Sequence, residues 1–394
     1  MYNIEKISNR IYRDAPWNIS VEDRLAKITG AKKNGKRTVG YIYPQFDSST
    51  FRYRGYNVCE SLDYSFEWGG AWFQLNELDC IKKNISEFDL IILIRCPWTE
   101  KLEDFVRGVK KYGLIVGYDI DDLVYKPKYF EYLAAALGFS QDYEYNFWHG
   151  LMYRNEKCIE LCDSLITTNE YLADYLRKDF DKQCYVIPNY LNMLQQEVSD
   201  EYLRAKMSLK SEDYYEIGYF SGSPTHAKDL QVALPAIETF FNENKNARLK
   251  IVGYMEIADK YSYLVNEGRI IFKPFTSMTG LQYEQATVDV NIVPLLNNVF
   301  SNCKSELKYF ESAIVGTATL ATPTYAYAHA IEYGDNGYLC NNEEEWYANL
   351  RKVYEKPFTD KDMLSLSQKS LDKYSSIRMT MWVENILEKI VEIK

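Results

Sequence analysis

The feature that most constrains this chain is a repeated alternation of short apolar strands with helix-length segments. "RTVGYIYP" (37–44), "DLIILIRCPW" (89–98), "LIVGYDID" (114–121), "SLITT" (164–168) and "CYVIPN" (184–189) read as strands. Between them, 99–113, 145–162 and 169–180 read as helices. After Pro188 a polar stretch intervenes, and "EIGYFSG" (216–222) opens a second series. Its strands are "ARLKIVG" (247–253), "RIIFKP" (269–274), "VDVNIVP" (288–294) and "TATLATP" (317–323), with helices at about 226–242, 304–315 and 343–355. The last 35 residues read as helical. Continuous apolar strands separated by helices predict parallel sheets covered on both faces. At 394 residues the chain is too long for one ordinary core. The expectation is an α/β protein of two doubly wound domains that face each other across a cleft and meet near residues 190–212. Ligands of such sheets sit at the carboxyl ends of the strands.

Composition removes several function classes. Residues 1–200 hold 25 Lys+Arg and 30 Asp+Glu, and 201–394 hold 21 and 26, so each half carries about −5 of the total −10. An acidic chain without a basic half is a poor nucleic-acid binder. The exception is "RLAKITGAKKNGKR" (24–37), which reads first as a solvated basic linker and alternatively as a contact for an anionic membrane surface. The longest apolar run, "LIILI", is strand-sized, and the N-terminus has no apolar signal region, so a cytoplasmic location is expected. The eight cysteines form no C-x-x-C pair and the three histidines are scattered, which argues for buried thiols and against a zinc site.

Four stretches carry chemical content. In "YFSGSPTHAKDL" (219–230) a strand ends, Gly222, Ser223 and Pro224 turn, and Thr225 can cap the next helix. Exposed N–H groups at such a helix start attract anions, with His226 and Lys228 as further donors, although a solvated lysine explains the pattern equally well. In "NCKSELKYFESAIVGTATLAT" (302–322), Leu307, Phe310 and Ile314 form a buried stripe, and Lys304, Lys308 and Glu311 share another face. Ser301 and Asn302 are candidate caps, and Gly316 stops the helix. Lys304 near the helix start opposes the dipole unless an anion sits there, whereas Lys308 and Glu311 can simply form an i, i+3 ion pair. In "GYDIDDLVY" (117–125), Asp119, Asp121 and Asp122 follow a strand directly, where carboxylates can bind a metal, hydrogen-bond hydroxyls or cap a helix. In "FDSSTFRYRGYN" (46–57), the loop after the first strand, Arg52 and Arg54 suit phosphate or carboxylate groups, or are plain surface arginines.

In this order the stretches resemble family 4 of the nucleotide-sugar-dependent glycosyltransferases, which have the GT-B fold of two Rossmann-like domains. "SLITTNEYLADYLRKDF", "IGYFSGSPTHAKDL" and "DVNIVPLLNN…NCKSELKYFESAIVGTATLATPTYAYAHAIEYGDNGYLC" carry the resemblance from about residue 38 onward. "FRYRGYNVCESL" and "YDIDDLVY" resemble a bacterial subgroup that builds cell-surface polysaccharides. The resemblance implies an acceptor-binding domain over 1–200, a donor-binding domain over 201–375 and a last helix, 376–394, that crosses back to the first domain. It implies a retaining, hexosyltransferase-type enzyme that needs no metal and no cofactor. The partners implied are a nucleotide-diphosphate sugar and a glycan or lipid-linked glycan acceptor, with peripheral membrane contact and no nucleic acid. By position, Glu311 matches the ribose-binding glutamate and Lys228 a lysine that meets the diphosphate. Gly222, Ser223, Thr225 and His226 lie beside that lysine. Asn302, Cys303, Lys304, Ser305 and Lys308 complete the expected donor site. Asp121 and Asp122 would orient hydroxyls, Lys228 and Lys304 would stabilise the leaving charge, and Arg52, Arg54 and Asp119 would face the cleft.

Two positions depart from the pattern. The glutamate expected eight residues before Glu311 is Cys303, and the arginine expected six before Lys228 is Gly222. Two rival readings stand beside this one: a nucleotide-sugar epimerase or a phosphorylase on the same scaffold, against which the run from Asn302 to Glu311 argues, and a non-catalytic glycosyltransferase-like partner subunit, which the missing first glutamate keeps open.

Overall fold

The computed structural model describes residues 15–47, 49–138, 141–208, 214–221 and 227–393. Among the described residues, twelve strands form two wholly parallel six-stranded sheets. The first contains β1 (Arg37–Tyr43), β2 (Trp68–Gln74), β3 (Leu90–Ile94), β4 (Ile115–Asp119), β5 (Ser164–Thr167) and β6 (Cys184–Val186), in the order β2-β1-β3-β4-β5-β6. The second contains β7 (Tyr215–Ser221), β8 (Ala247–Gly253), β9 (Ile270–Lys273), β10 (Val290–Val293), β11 (Ala318–Ala321) and β12 (Gly337–Leu339), in the order β12-β11-β10-β7-β8-β9. The second order is that of a Rossmann sheet, with its topological switch between β7 and β10. The first reverses between β1 and β3. The two switch points place Ser221, Val293 and the loop after β1 around one cleft.

β2 and β12 were not expected from the sequence. "WGGAWFQ" reads poorly as a strand because two glycines interrupt it. The glycines are there for close approach. A Cβ at Gly69 would stand 2.4 Å from Ala31 Cβ, and one at Gly70 would stand 2.8 Å from Leu62 Cδ1. Helices therefore press on both faces of this edge strand.

Three further expectations change. The basic stretch 24–37 is a helix, Val21–Lys33, leading into β1 rather than a linker. Five of its six cations are engaged: Arg24 with Glu77 at 2.8 Å, Lys27 with Asp63 at 2.7 Å, Lys32 with Asp89 at 2.6 Å, Arg37 with Glu388, and Lys36 with the Ser65 carbonyl. The polar stretch after Pro188 is largely a helix, Met193–Ser208, so the expected division at residue 200 falls inside a continuous element. This helix packs on Met278–Ala286 of the second half. The helix expected over 304–315 spans Leu307–Ala313 and follows a separate short turn of helix, Val299–Asn302, capped by Asn298.

The chain ends in two helices, Asp360–Tyr374 and Ser376–Val391. The second lies on the first domain. Glu388 accepts from Trp68 Nε1 at 2.7 Å, Trp382 Nε1 donates to the Val186 carbonyl at 2.7 Å, and Thr380 Oγ1 donates to the Ser61 carbonyl at 3.0 Å. Among the described residues no helix is long and apolar enough to cross a membrane.

Candidate functional site

A cavity of about 350 Å³ opens between the two sheets. The first domain contributes Ser49, Thr50, Arg52, Tyr53, Asp121, Asp122 and Asn189. The second contributes Ser221, Lys304, Ser305, Lys308 and Glu311, with Phe275, Met278 and Tyr327 as apolar walls. Seven of the residues singled out from sequence thus meet here: Arg52, Asp121, Asp122, Lys304, Ser305, Lys308 and Glu311.

Glu311 is 1% exposed. Its Oε1 accepts from the Tyr53 hydroxyl and, at 3.2 Å, from Arg52 Nη2. Both donors lie on a wide π-helical turn, Arg52–Tyr56, a geometry that single functional turns often adopt. The region read as a loop is therefore helical from Thr50 onward, and Glu311 pairs across the domain seam rather than with Lys308. Tyr53 was not anticipated from sequence, since nothing in its spacing distinguishes it from the other tyrosines.

Lys304 and Lys308 carry the cavity's unmatched charge. Among the described residues neither ammonium has a hydrogen bond or an ion pair. Lys308 Nζ stands 5.4 Å from the Tyr219 ring centre and Lys304 Nζ stands 5.0 Å from that of Phe300. Burial, with the charge of Lys304 beside it, pushes the Lys308 ammonium down to about 8. A cation in such a place is stabilised by an incoming anion.

Asp121 and Asp122 line the opposite wall, both paired with Arg95, at 2.5 Å for Asp122 Oδ2. Arg95 holds a left-handed backbone (φ 43°), unusual for a non-glycine residue, directly after β3. The strained residue fixes both carboxylates. Among the described residues no group of three or more His, Cys, Asp or Glu side chains is arranged to hold a metal ion.

Other expected site residues are placed elsewhere. Arg54 and Asp119 do not face the cleft. They form a fully buried bidentate pair at 2.9 and 2.8 Å because β4 ends at Asp119 deep beneath the π-helical turn. Arg54 Nη1 also donates to the Ile187 carbonyl and to Asn189 Oδ1, and Asn189 Nδ2 donates to Ser305 Oγ at 2.9 Å. Asn302 is spent locally: its Nδ2 donates to Asn297 Oδ1 and its Oδ1 accepts from Tyr325 N–H at 2.6 Å. Cys303 is buried with Phe300 in the core of the first domain, and burial pushes its thiol up. The carbonyls of Cys303 and Lys304 both accept from Asn169 Nδ2 at 3.1 Å, while Asn169 Oδ1 caps the helix Glu170–Phe180. Lys228 is exposed and its Nζ donates to the Ala135 carbonyl at 3.2 Å, outside the cavity lining. Gly222, Ser223, Thr225 and His226 lie outside the described residues.

Residues 216–356 match a family model described as "Glycosyl transferases group 1". No curated protein matches the chain. Among solved structures, sucrose-phosphate synthase from Thermosynechococcus elongatus is similar over 91% of this chain and 100% of its own, with 13% identity and a TM-score of 0.59. A glycosyltransferase from Rickettsia africae is similar over 91% and 98%, with 13% identity and a TM-score of 0.58. HepE of Anabaena, in complex with UDP, is similar over 89% and 100%, with 12% identity and a TM-score of 0.57. These likenesses give the two facing sheets their fold: GT-B.

The buried pair generates a stability prediction. Arg54→Ala leaves the Asp119 carboxylate unpaired in the core and should cost about 3–5 kcal/mol. Urea unfolding checks it; a loss under about 1 kcal/mol would mean that the pair is dispensable.

Proposed function

We propose that this group 1 glycosyltransferase moves a sugar, with retention, from a nucleotide-diphosphate sugar to a hydroxyl of a glycan or lipid-linked glycan acceptor in bacterial surface-polysaccharide synthesis. The observation that carries this reading is the pair of unmatched ammonium groups, Lys304 and Lys308, beside the carboxylate of Glu311 in the interdomain cavity. Glu311 is the ribose ligand in this reading, and Lys308, Lys304 and Ser305 face the diphosphate. Likeness to HepE, whose structures hold UDP and UDP-glucose, makes uracil the first base to test.

The leaving group gains negative charge as the glycosidic bond breaks. Fixed cations in a dry site stabilise that charge most in the transition state. They do without a divalent ion what a metal would otherwise do. An acceptor hydroxyl on the face of the departing phosphate can pass its proton to it. In this reading Asp121 and Asp122, held by Arg95, orient acceptor or donor hydroxyls. Closure of the two domains over the donor would exclude water and limit hydrolysis. The work is cytoplasmic, at the inner face of the membrane.

One observation favours a second reading, a donor-binding subunit without transferase activity. Cys303 stands where a sugar-binding glutamate is expected, and its thiol is sealed in the neighbouring core. Transfer of radiolabelled sugar to a glycan acceptor separates the two.

A thermal-shift panel of UDP, GDP, ADP, dTDP and CDP tests the site. At least one should raise the melting temperature, and Glu311→Ala should abolish that shift; no shift with any of them contradicts the reading. Added chelator should leave transfer unchanged. The lysine gives the pH dependence its sign. Only protonated Lys308 attracts the diphosphate, so affinity is full below about 8 and falls above it. Between pH 7 and pH 9 the loss should be about tenfold, and in Lys308→Met the affinity should be low and flat over the same range. A flat wild-type titration would mean that Lys308 keeps its proton over this range, and unchanged affinity in Lys308→Met would exclude it from the site.

A further inference from the structure

Arg52 is 4% exposed and lines the cavity from the first domain. Its Nη2 donates to the Tyr53 hydroxyl at 3.0 Å and to Glu311 Oε1 at 3.2 Å, and its guanidinium carbon stands 4.4 Å from the Tyr53 ring centre. Its Nε and Nη1 are buried and, among the described residues, have no hydrogen-bond partner. An arginine cannot shed its charge, so buried unmatched donors are costly unless a ligand completes them. Arg54, two residues on, shows the contrast, since its Nε, Nη1 and Nη2 all find oxygen partners. The two arginines on one turn therefore divide the work: Arg54 is satisfied by the protein, and Arg52, which lines the cavity, keeps two buried donors without a partner among the described residues.

We propose that Arg52 is a phosphate ligand of the donor, with Nε and Nη1 binding diphosphate oxygens across the cavity from Lys308. The proposal rests on the donor reading of this cavity and deepens it. The first domain then supplies one of the cations that hold the leaving group, and the diphosphate bridges the two domains. Before the donor enters, the same guanidinium neutralises Glu311. When ribose hydroxyls reach Glu311, Nη2 stays on the carboxylate while Nε and Nη1 take the phosphate. A nucleoside, which carries ribose but no phosphate, leaves Nε and Nη1 of Arg52 unused.

Competition binding of UDP, GDP, ADP, dTDP and CDP against the matching nucleosides, followed by ligand-observed NMR, tests this. Arg52→Gln should weaken the bound diphosphate about ten- to hundredfold and leave the nucleoside within about twofold. Arg52→Lys keeps a cation on the same stem and should lose less than Arg52→Gln. Tyr53→Phe removes a bond to Glu311 while leaving the guanidinium, and should keep the diphosphate-to-nucleoside ratio of the wild type. If Arg52→Gln lowers both ligands equally, or neither, the residue only props the seam and the proposal is overturned. If no diphosphate binds the wild type, the donor reading itself fails. If Lys308→Met weakens the diphosphate and Arg52→Gln does not, the donor reading stands and Arg52 alone falls.

Discussion

Arg54 and Asp119 meet where neither can reach water, and much of the site is built outward from that meeting. The carboxylate sits at the end of β4, and the guanidinium enters from the turn after β1. The same guanidinium holds Asn189, and Asn189 holds Ser305 of the other domain. Removing one partner of such a pair would strand a charge, so the geometry is enforced rather than merely favoured. Asn169 repeats the device with the carbonyls of Cys303 and Lys304. Two asparagines of the first domain thus position the segment of the second that carries Lys304 and Ser305. The domains are not free halves that happen to touch. Phe310 stacks on Tyr374 at 4.6 Å, and Tyr53 meets Phe310 edge-on at 6.1 Å, so an aromatic layer continues the first core across the seam.

Within that frame the cavity is organised by what each charge is already doing. Asp121 and Asp122 share the one guanidinium of Arg95, and Glu311 is shared by Tyr53 and Arg52. Lys304 and Lys308 are matched by nothing among the described residues. A folded protein tolerates such an imbalance at a place where a ligand supplies the missing sign. The shape of the surplus suits a diphosphate better than a single carboxylate, because it is spread over two lysines.

The alternation of strands and helices made the two-sheet fold legible, because buried parallel strands read as short apolar runs. β2 was hidden because its glycines serve two neighbouring helices rather than the strand itself. The helix Val21–Lys33 was hidden because its cations look solvated in sequence, whereas Arg24, Lys27 and Lys32 reach acids at 77, 63 and 89. In the site, the spacing of Lys304, Lys308 and Glu311 was readable from helical periodicity, although the helix begins only at Leu307. That Arg52 and Arg54 have opposite fates was not readable. They are two residues apart on a turn of unusual pitch, and only the end of β4 and the seam decide which is sealed. Tyr53 and Arg95 act through long-range contacts that no local pattern encodes.

The central claim is that a nucleoside diphosphate lies in the interdomain cavity with its charge on the unmatched cations. The most direct measurement is a crystal structure of the protein with the nucleoside diphosphate that stabilises it. The account predicts phosphate oxygens within hydrogen-bond distance of Lys308 and ribose hydroxyls on Glu311. A nucleotide bound elsewhere, with Lys308 and Glu311 untouched, would contradict it.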